Sequence, residues 1–115
     1  MKYLMSFVLM LFSFYSISQT VKIKNIGESY VSYESYFEDG SLKEKGLFCD
    51  NNKCGEWRSY HNNGSINTIA SFSNGFRDGI WRFYDEDGIL IYEVLYRSNV
   101  RIRVSEHTYF TAQVE

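Results

Sequence analysis

The sequence predicts an all-β protein in which antiparallel β-hairpins with a 24-residue period form an elongated, meandering single sheet. The first observation is an internal repeat: residues 36–42 read Tyr-Phe-Glu-Asp-Gly-Ser-Leu, and residues 60–66 read Tyr-His-Asn-Asn-Gly-Ser-Ile. A fixed period of this size indicates a repeat architecture. The second observation is that apolar and polar residues alternate between turn signals, as they do in strands. The third is a composition with ten Tyr, nine Phe and no Pro, which suits pleated sheets.

The N-terminus has the three parts of a secretory signal peptide. Lys2 gives a positive start, an apolar run follows as far as Ile17, and a small-x-small cleavage pattern precedes Gln19. The sequence therefore predicts a signal helix over residues 1–18 and an exported β-repeat domain over residues 19–115, in the periplasm, at the outer envelope or secreted. A membrane anchor is the alternative, but the apolar run is shorter than the roughly 20 residues that a spanning helix needs.

Eight segments between turn signals are predicted to be strands, so we expect a sheet of roughly seven or eight strands. The segments are residues 21–24, 30–37, 42–48, 56–61, 66–72, 80–84, 89–96 and 101–104. Full repeats are predicted over residues 36–59 and 60–83. A partial third repeat over residues 84–104 is predicted to cap the sheet, because terminal repeats must avoid open-edge association.

Each repeat contains two predicted turns. In the first, Asp-Gly or Asn-Gly between apolar runs predicts a two-residue hairpin in which both central residues have positive φ. The glycines of these turns are Gly40, Gly64 and Gly88. The second turn covers residues 50–53 and 73–78. Gly55 and Gly79 precede each Trp by two positions and are predicted to allow a bulge or the close approach of a neighbouring strand.

Aromatic residues recur in phase and are predicted to form columns that make the core. The columns are Tyr36, Tyr60 and Tyr84, then Phe48, Phe72 and Tyr96, then Trp57 and Trp81. Tyr33 falls where the two Trp residues fall later. Such columns bury a large area per residue and pack edge to face. The alternative is an aromatic platform for a sugar or a peptide, since a single sheet has a second face that can stay uncovered.

Two further pairs of residues suggest a local role. Cys49 and Cys54 flank a turn and are predicted to form a disulfide, because the ends of paired strands come within bonding distance and exported proteins meet an oxidising compartment. Two free thiols are the alternative. Arg58 and Arg82 follow the two Trp residues. They belong either to a solvated face or to a basic stripe that holds an acidic partner or lipid phosphates.

Composition and spacing argue against several classes of function. The chain carries 12 Lys and Arg against 14 Asp and Glu, a formal charge of −2, whereas a nucleic-acid partner calls for a basic face. His61 and His107 have no Ser, Cys or carboxylate at a catalytic spacing. Residues 85–88 start like a calcium loop but lack its later ligands. We therefore expect no enzyme, no cofactor, no metal and no nucleic-acid partner.

The repeated unit resembles a known family. The pattern Tyr-x-x-(Asn/Asp)-Gly-x-(Leu/Ile), then Phe, then Gly-x-Trp-Arg-x-(Tyr/Phe), resembles the MORN-repeat variant of bacterial proteins often labelled YwqK-like antitoxin family. The likeness covers residues 33–96, and the third unit departs from it where Arg103, Val104 and Ser105 replace Gly-x-Trp. The resemblance implies an elongated antiparallel hairpin sheet with a role in protein–protein or membrane-associated scaffolding.

The expected function is that of an exported, non-catalytic β-repeat module. Its predicted partner is another protein, with a membrane or envelope component as the alternative. A second hypothesis is an antitoxin-like or immunity-type protein that neutralises a partner toxin. Localisation separates the two hypotheses, because an exported chain protects only against a toxin that acts outside the cytoplasm.

Overall fold

The computed structural model describes residues 20–107, which form one antiparallel sheet of nine strands. The strands are β1 (Val21–Asn25), β2 (Tyr30–Tyr36), β3 (Leu42–Cys49), β4 (Asn52–Tyr60), β5 (Ile66–Ser73), β6 (Phe76–Arg77), β7 (Gly79–Tyr84), β8 (Leu90–Arg97) and β9 (Val100–Glu106). The predicted all-β antiparallel single sheet is confirmed. The predicted signal helix lies outside the described residues, and the described part contains no helix long and apolar enough to cross a membrane.

The order of strands in the sheet follows their order in the chain. The path runs β1-β2-β3-β4-β5-β7-β8-β9, and β6 pairs only with β5. The sequence did not predict β6. Asp78 separates β6 from β7, and its backbone N–H donates to the Ser71 carbonyl at 3.1 Å. The register against β5 changes across it, from Arg77 opposite Phe72 to Arg82 opposite Ile69. β4 begins at Asn52, because the turn before it consists of Asp50 and Asn51 alone.

The prediction of two positive φ angles in the first turns was wrong, and the second turns, for which no such prediction was made, have this conformation instead. In the first turns, only the glycine has positive φ, with 87° at Gly40 and 90° at Gly64. Phe37 N–H donates to the Ser41 carbonyl, so these loops are wider than a two-residue hairpin. The second turns have positive φ at both central residues. These pairs are Asp50 and Asn51, Asn74 and Gly75, and Ser98 and Asn99.

The core of the sheet lies in one row on one face. Trp57 is opposite Ala70, and Trp81 is opposite Val94. Within the described part of the chain, the buried hydrophobic residues are Trp57, Ala70 and Val94, with exposed fractions of 2%, 6% and 7%. Gly46, opposite Tyr33 on β2, is the first in this series of small residues, which recur with the period of the repeat.

Each Trp is anchored to the strand before it. The Trp57 indole Nε1–H donates to the Leu47 carbonyl at 3.0 Å, and the Trp81 indole donates to the Ser71 carbonyl at 2.9 Å. Two positions before each Trp stands a glycine of positive φ, 67° at Gly55 and 97° at Gly79. The indole rings therefore lie along the sheet instead of standing away from it.

Replacing Gly46 with Ala should destabilise the fold. A Cβ at this position would overlap the six-membered ring of Trp57. Overpacking of this kind costs about 1–3 kcal/mol. In a strand without such an overlap, Ala is more stabilising than Gly by about 0.5–1 kcal/mol. A decrease in the free energy of unfolding would therefore be due to the overlap with Trp57. Urea unfolding measures the effect.

Lys45→Ala is the matched control for this experiment. Lys45 is the preceding residue on β3 and is exposed, so its truncation should change the free energy of unfolding far less. Equal stability of the Gly46→Ala variant and the native chain would mean that Trp57 does not rest on Gly46.

Candidate functional site: the aromatic face

Six aromatic side chains form a continuous row across one face of the sheet. We call them the aromatic ladder: Tyr33, Phe48, Trp57, Phe72, Trp81 and Tyr96. Successive ring centroids lie 5.0–6.3 Å apart, with interplanar angles of 63–84°. These are the distances and the edge-to-face geometry that aromatic pairs prefer. Trp57 is buried, whereas the other five members are half-buried. The ladder therefore serves as both core and partly exposed surface.

Basic side chains cover the ladder from outside. Lys53 Nζ lies 4.4 Å from the Trp57 ring centroid and 5.1 Å from that of Phe72, and it pairs with Glu44 at 3.6 Å. Arg77, one period later, lies 4.8 Å from the Tyr96 ring centroid. A cation over an aromatic face is attracted by the negative charge density of the ring. Each of these two basic residues thus covers an aromatic ring that comes later in the chain.

A shallow groove of about 260 Å³ runs beside the ladder on the same face. Its lining includes aromatic residues such as Trp81 and Phe83 and polar residues such as Glu44, Ser59 and Thr68. The cations of Lys53 and Arg58 also line it. Such a groove offers aromatic surface, hydroxyls and charges of both signs to a ligand or to a partner's side chains.

The predicted column of Tyr36, Tyr60 and Tyr84 is separate from the ladder. The three residues are half-buried and lie at the ends of their strands, next to the first turns. Their cross-strand partners are Leu42, Ile66 and Leu90. The Tyr36 hydroxyl donates to the Glu34 carboxylate, and this bond raises the pKa of Tyr36 above its ordinary value. This column supports the turn end of the sheet.

The first turns are held by short side chains and contact one another. In the turn at Gly40, the Ser41 hydroxyl and backbone N–H donate to Asp39, and these bonds lower the pKa of that carboxyl. Asn63 in the next turn donates to the Glu86 carbonyl at 2.9 Å. The turns at Gly64 and Gly88 are thereby tied together at one end of the sheet.

His61 has a structural role that the sequence did not reveal. Its Nε2–H donates to the Tyr84 carbonyl at 2.9 Å, and its Nδ1 accepts from Asn67 at 3.4 Å. The side chain therefore links two repeats. Comparing the repeats gave no signal for this, because Phe37 and Asp85 occupy the equivalent position.

Arg58 and Arg82 lie on the opposite face of the sheet and are paired. Arg58 Nη2 is 3.3 Å from a Glu56 oxygen, and Arg82 Nε is 3.2 Å from a Glu93 oxygen. One register row crosses this face. It consists of Lys22, Glu34, Lys45, Arg58, Ile69, Arg82, Glu93 and Ser105. Carboxylates interrupt the basic residues, so the row has the character of a solvated, mixed-charge face.

Cys49 and Cys54 are joined by a disulfide, with their Cα atoms 5.7 Å apart. The bond crosses from β3 to β4 next to the turn at Asp50. Among residues 20–107, no three His, Cys, Asp or Glu side chains are grouped so that they could hold a metal ion.

These features define a class of protein: a β-hairpin repeat protein with one aromatic and one charged face. The family model described as MORN repeat variant matches residues 31–50, 53–74 and 77–98. The matches together cover more than half of the chain, which belongs to the MORN repeat variant family. No curated protein matched the chain, and no solved structure did.

The three matched segments coincide with three hairpins. They contain β2 with β3, β4 with β5, and β7 with β8. In this frame each repeat contributes one residue of the series Tyr33, Trp57 and Trp81. β1 and β9 lie outside the matched segments and form the two edges of the sheet.

Reduction of the disulfide should weaken the fold without unfolding it. The bond joins residues five positions apart. Because the entropy that a crosslink removes from the unfolded chain grows with loop size, the loss should be about 2 kcal/mol, at the low end for disulfides. Urea unfolding with and without reductant measures it, and a Cys49→Ser, Cys54→Ser double variant should not respond to reductant. Alkylation of both thiols in the unreduced chain would contradict this bond.

Proposed function

We propose that this MORN-variant chain is an exported, non-catalytic module that binds another protein through its aromatic face. The observation that carries the proposal is the unbroken ladder from β2 to β8, of which only Trp57 is fully buried. The apolar row continues to both edges of the sheet. Ile23 lies opposite Tyr33, and Val104 lies opposite Val94, with exposed fractions of 66% and 43%.

A contiguous, partly exposed apolar surface favours a protein partner. Repeat architectures offer such surfaces because stacked units form an extended face, and MORN-type repeats are often binding modules. The burial of Trp57 speaks against a sugar platform at the centre of the face, since a ring that is 2% exposed has no free side to stack on a sugar.

An antitoxin-like or immunity-type function is the second candidate. It is supported by the resemblance of the repeated unit to the YwqK-like antitoxin family. Under this proposal the partner is a toxin, and export confines the toxin's site of action to the envelope or the exterior. A membrane or envelope component remains the alternative to a protein partner.

Export can be tested directly on the full chain. Expressed with its own N-terminus in a bacterium, the chain should leave the cytoplasm and lose residues 1–18, because this segment has the composition of a signal peptide. Cell fractionation and N-terminal sequencing measure both effects, and the mature chain should begin at Gln19. An intact N-terminus on cytoplasmic protein would refute export.

The binding face can be tested with a matched pair of variants. Tyr92 and Ile80 are both 41% exposed. Tyr92 lies on the aromatic face opposite Phe83, whereas Ile80, next to Trp81 on β7, points to the other face. Tyr92→Asp should abolish retention of a stoichiometric partner from envelope extract, because it places a charge in the apolar surface. Ile80→Asp should retain the partner.

Both variants must first have the circular dichroism spectrum of the native chain. Loss of the partner with Ile80→Asp alone would move the binding surface to the charged face. Turnover of any substrate by the purified chain would refute the proposal that the module is non-catalytic.

A further inference from the structure

The last strand of the sheet is an open edge in which a register shift at Ile102 places Arg101 on the aromatic face, opposite Tyr96, and Arg103 on the other face, opposite Leu95. β9 pairs with β8 on one side, and no described strand pairs with it on the other. Val100, Ile102 and Val104 are 60%, 52% and 43% exposed. Arg101 and Arg103 stand between them and are also exposed. An edge strand presents unpaired N–H and C=O groups to any extended chain that reaches it.

The arginines at this edge have no acidic partner in the described part of the chain. Arg97, Arg101 and Arg103 form no ion pair among residues 20–107, whereas Arg58 and Arg82 are each paired with a glutamate. Positive charge therefore collects at β9, although the whole chain is acidic with a formal charge of −2.

Arg101 holds a position of the repeat that has lost its usual partner. Lys53, Arg77 and Arg101 are one period apart and lie opposite Phe48, Phe72 and Tyr96. Lys53 covers Phe72, and Arg77 covers Tyr96, in each case a ring further along the chain. Within residues 20–107, the cation of Arg101 lies over no aromatic ring.

The charges of the two edges disfavour stacking of this chain on itself. β1, the opposite edge, also alternates aliphatic and basic residues, with Lys22 and Lys24. Pairing of β1 in one copy with β9 in another would bring these lysines close to Arg101 and Arg103. Like charges on paired strands are destabilising, and basic residues on edge strands are a common means of blocking self-association.

We propose that β9 is a docking edge for an extended, acidic segment of the partner protein, which adds to the sheet as a further antiparallel strand. The partner's backbone would satisfy the open N–H and C=O groups of β9, and its carboxylates would neutralise Arg97, Arg101 and Arg103. Its apolar residues would cover Ile102 and Val104. This inference rests on the proposed function and specifies the chemistry of the partner.

The test uses the full exported chain and synthetic peptides of about eight residues, an ordinary strand length. One labelled peptide carries glutamate at its central positions and valine toward both ends, so that carboxylates reach both faces of the sheet, and its control carries lysine at the same central positions. Fluorescence anisotropy should give an affinity about tenfold or more higher for the acidic peptide, since complementary charges select partners. Hydrogen exchange followed by NMR should show new protection of β9 amides, which charge attraction alone would not produce.

Two charge reversals of equal size locate the site. Arg101→Glu with Arg103→Glu should weaken binding of the acidic peptide by about tenfold or more. Lys22→Glu with Lys24→Glu makes the same change in net charge at β1 and should alter the affinity less than about twofold, because distant surface charges are screened by salt. Circular dichroism checks that both variants fold.

Equal losses in the two variants, or binding without protection of β9 amides, would overturn the inference. The proposed function is judged separately. If the Arg101→Glu, Arg103→Glu variant retains the same envelope partner as the native chain, the module function stands and β9 is not the docking edge. Retention of no partner by the native chain would count against the module function itself.

Discussion

The fold depends on the hydrogen bond that holds each indole ring against the neighbouring strand. A single sheet has no second layer to cover its apolar face, so the side chains of that face must cover one another. The Trp57 N–H reaches the Leu47 carbonyl, and its ring lies over Gly46, which has no side chain to displace it. Trp57 is consequently 2% exposed, although within residues 20–107 no second layer packs on the sheet. The edge-to-face contacts with Phe48 and Phe72 follow from this placement.

The contacts of one repeat recur in the next, so the same packing extends across the sheet. The Gly75 N–H donates to the Lys53 carbonyl, and the Asn99 N–H donates to the Arg77 carbonyl, one period further on. Each repeat thus contacts the next through turns, rings and strand pairing, as expected when stability is a sum of neighbour interactions. The two ends of such an array have one neighbour fewer. Aliphatic side chains are accordingly most exposed on β1 and β9, for example 66% at Ile23 and 60% at Val100.

Much of this architecture could be predicted because the same sequence pattern occurs in each repeat. The strands, the meander and the phase of Tyr33 with the two Trp residues follow from spacing alone. The turn conformations did not, because an Asp-Gly or Asn-Gly pair fits both a two-residue hairpin and the wider loop that closes between Phe37 and Ser41. The role of His61 was also hidden, since its bond to Tyr84 depends on a residue that the other repeats do not share. Periodicity predicts what repeats have in common, and contacts made by a residue that varies between them need the structure.

The aromatic face and the β9 edge offer a partner two different kinds of interaction. The ladder supplies apolar area, but most of its surface is already covered within the sheet, which limits what a partner can still bury there. An edge strand forms backbone hydrogen bonds with strands of many different sequences. Selectivity for one partner must therefore come from side chains. The arginines of β9 provide this selectivity, since charge complementarity sets partner choice and association rate more than affinity. Val104, opposite Val94, and Arg101, opposite Tyr96, lie on the aromatic face, so a strand added at this edge would extend the apolar row and meet Arg101 on that face and Arg103 on the other.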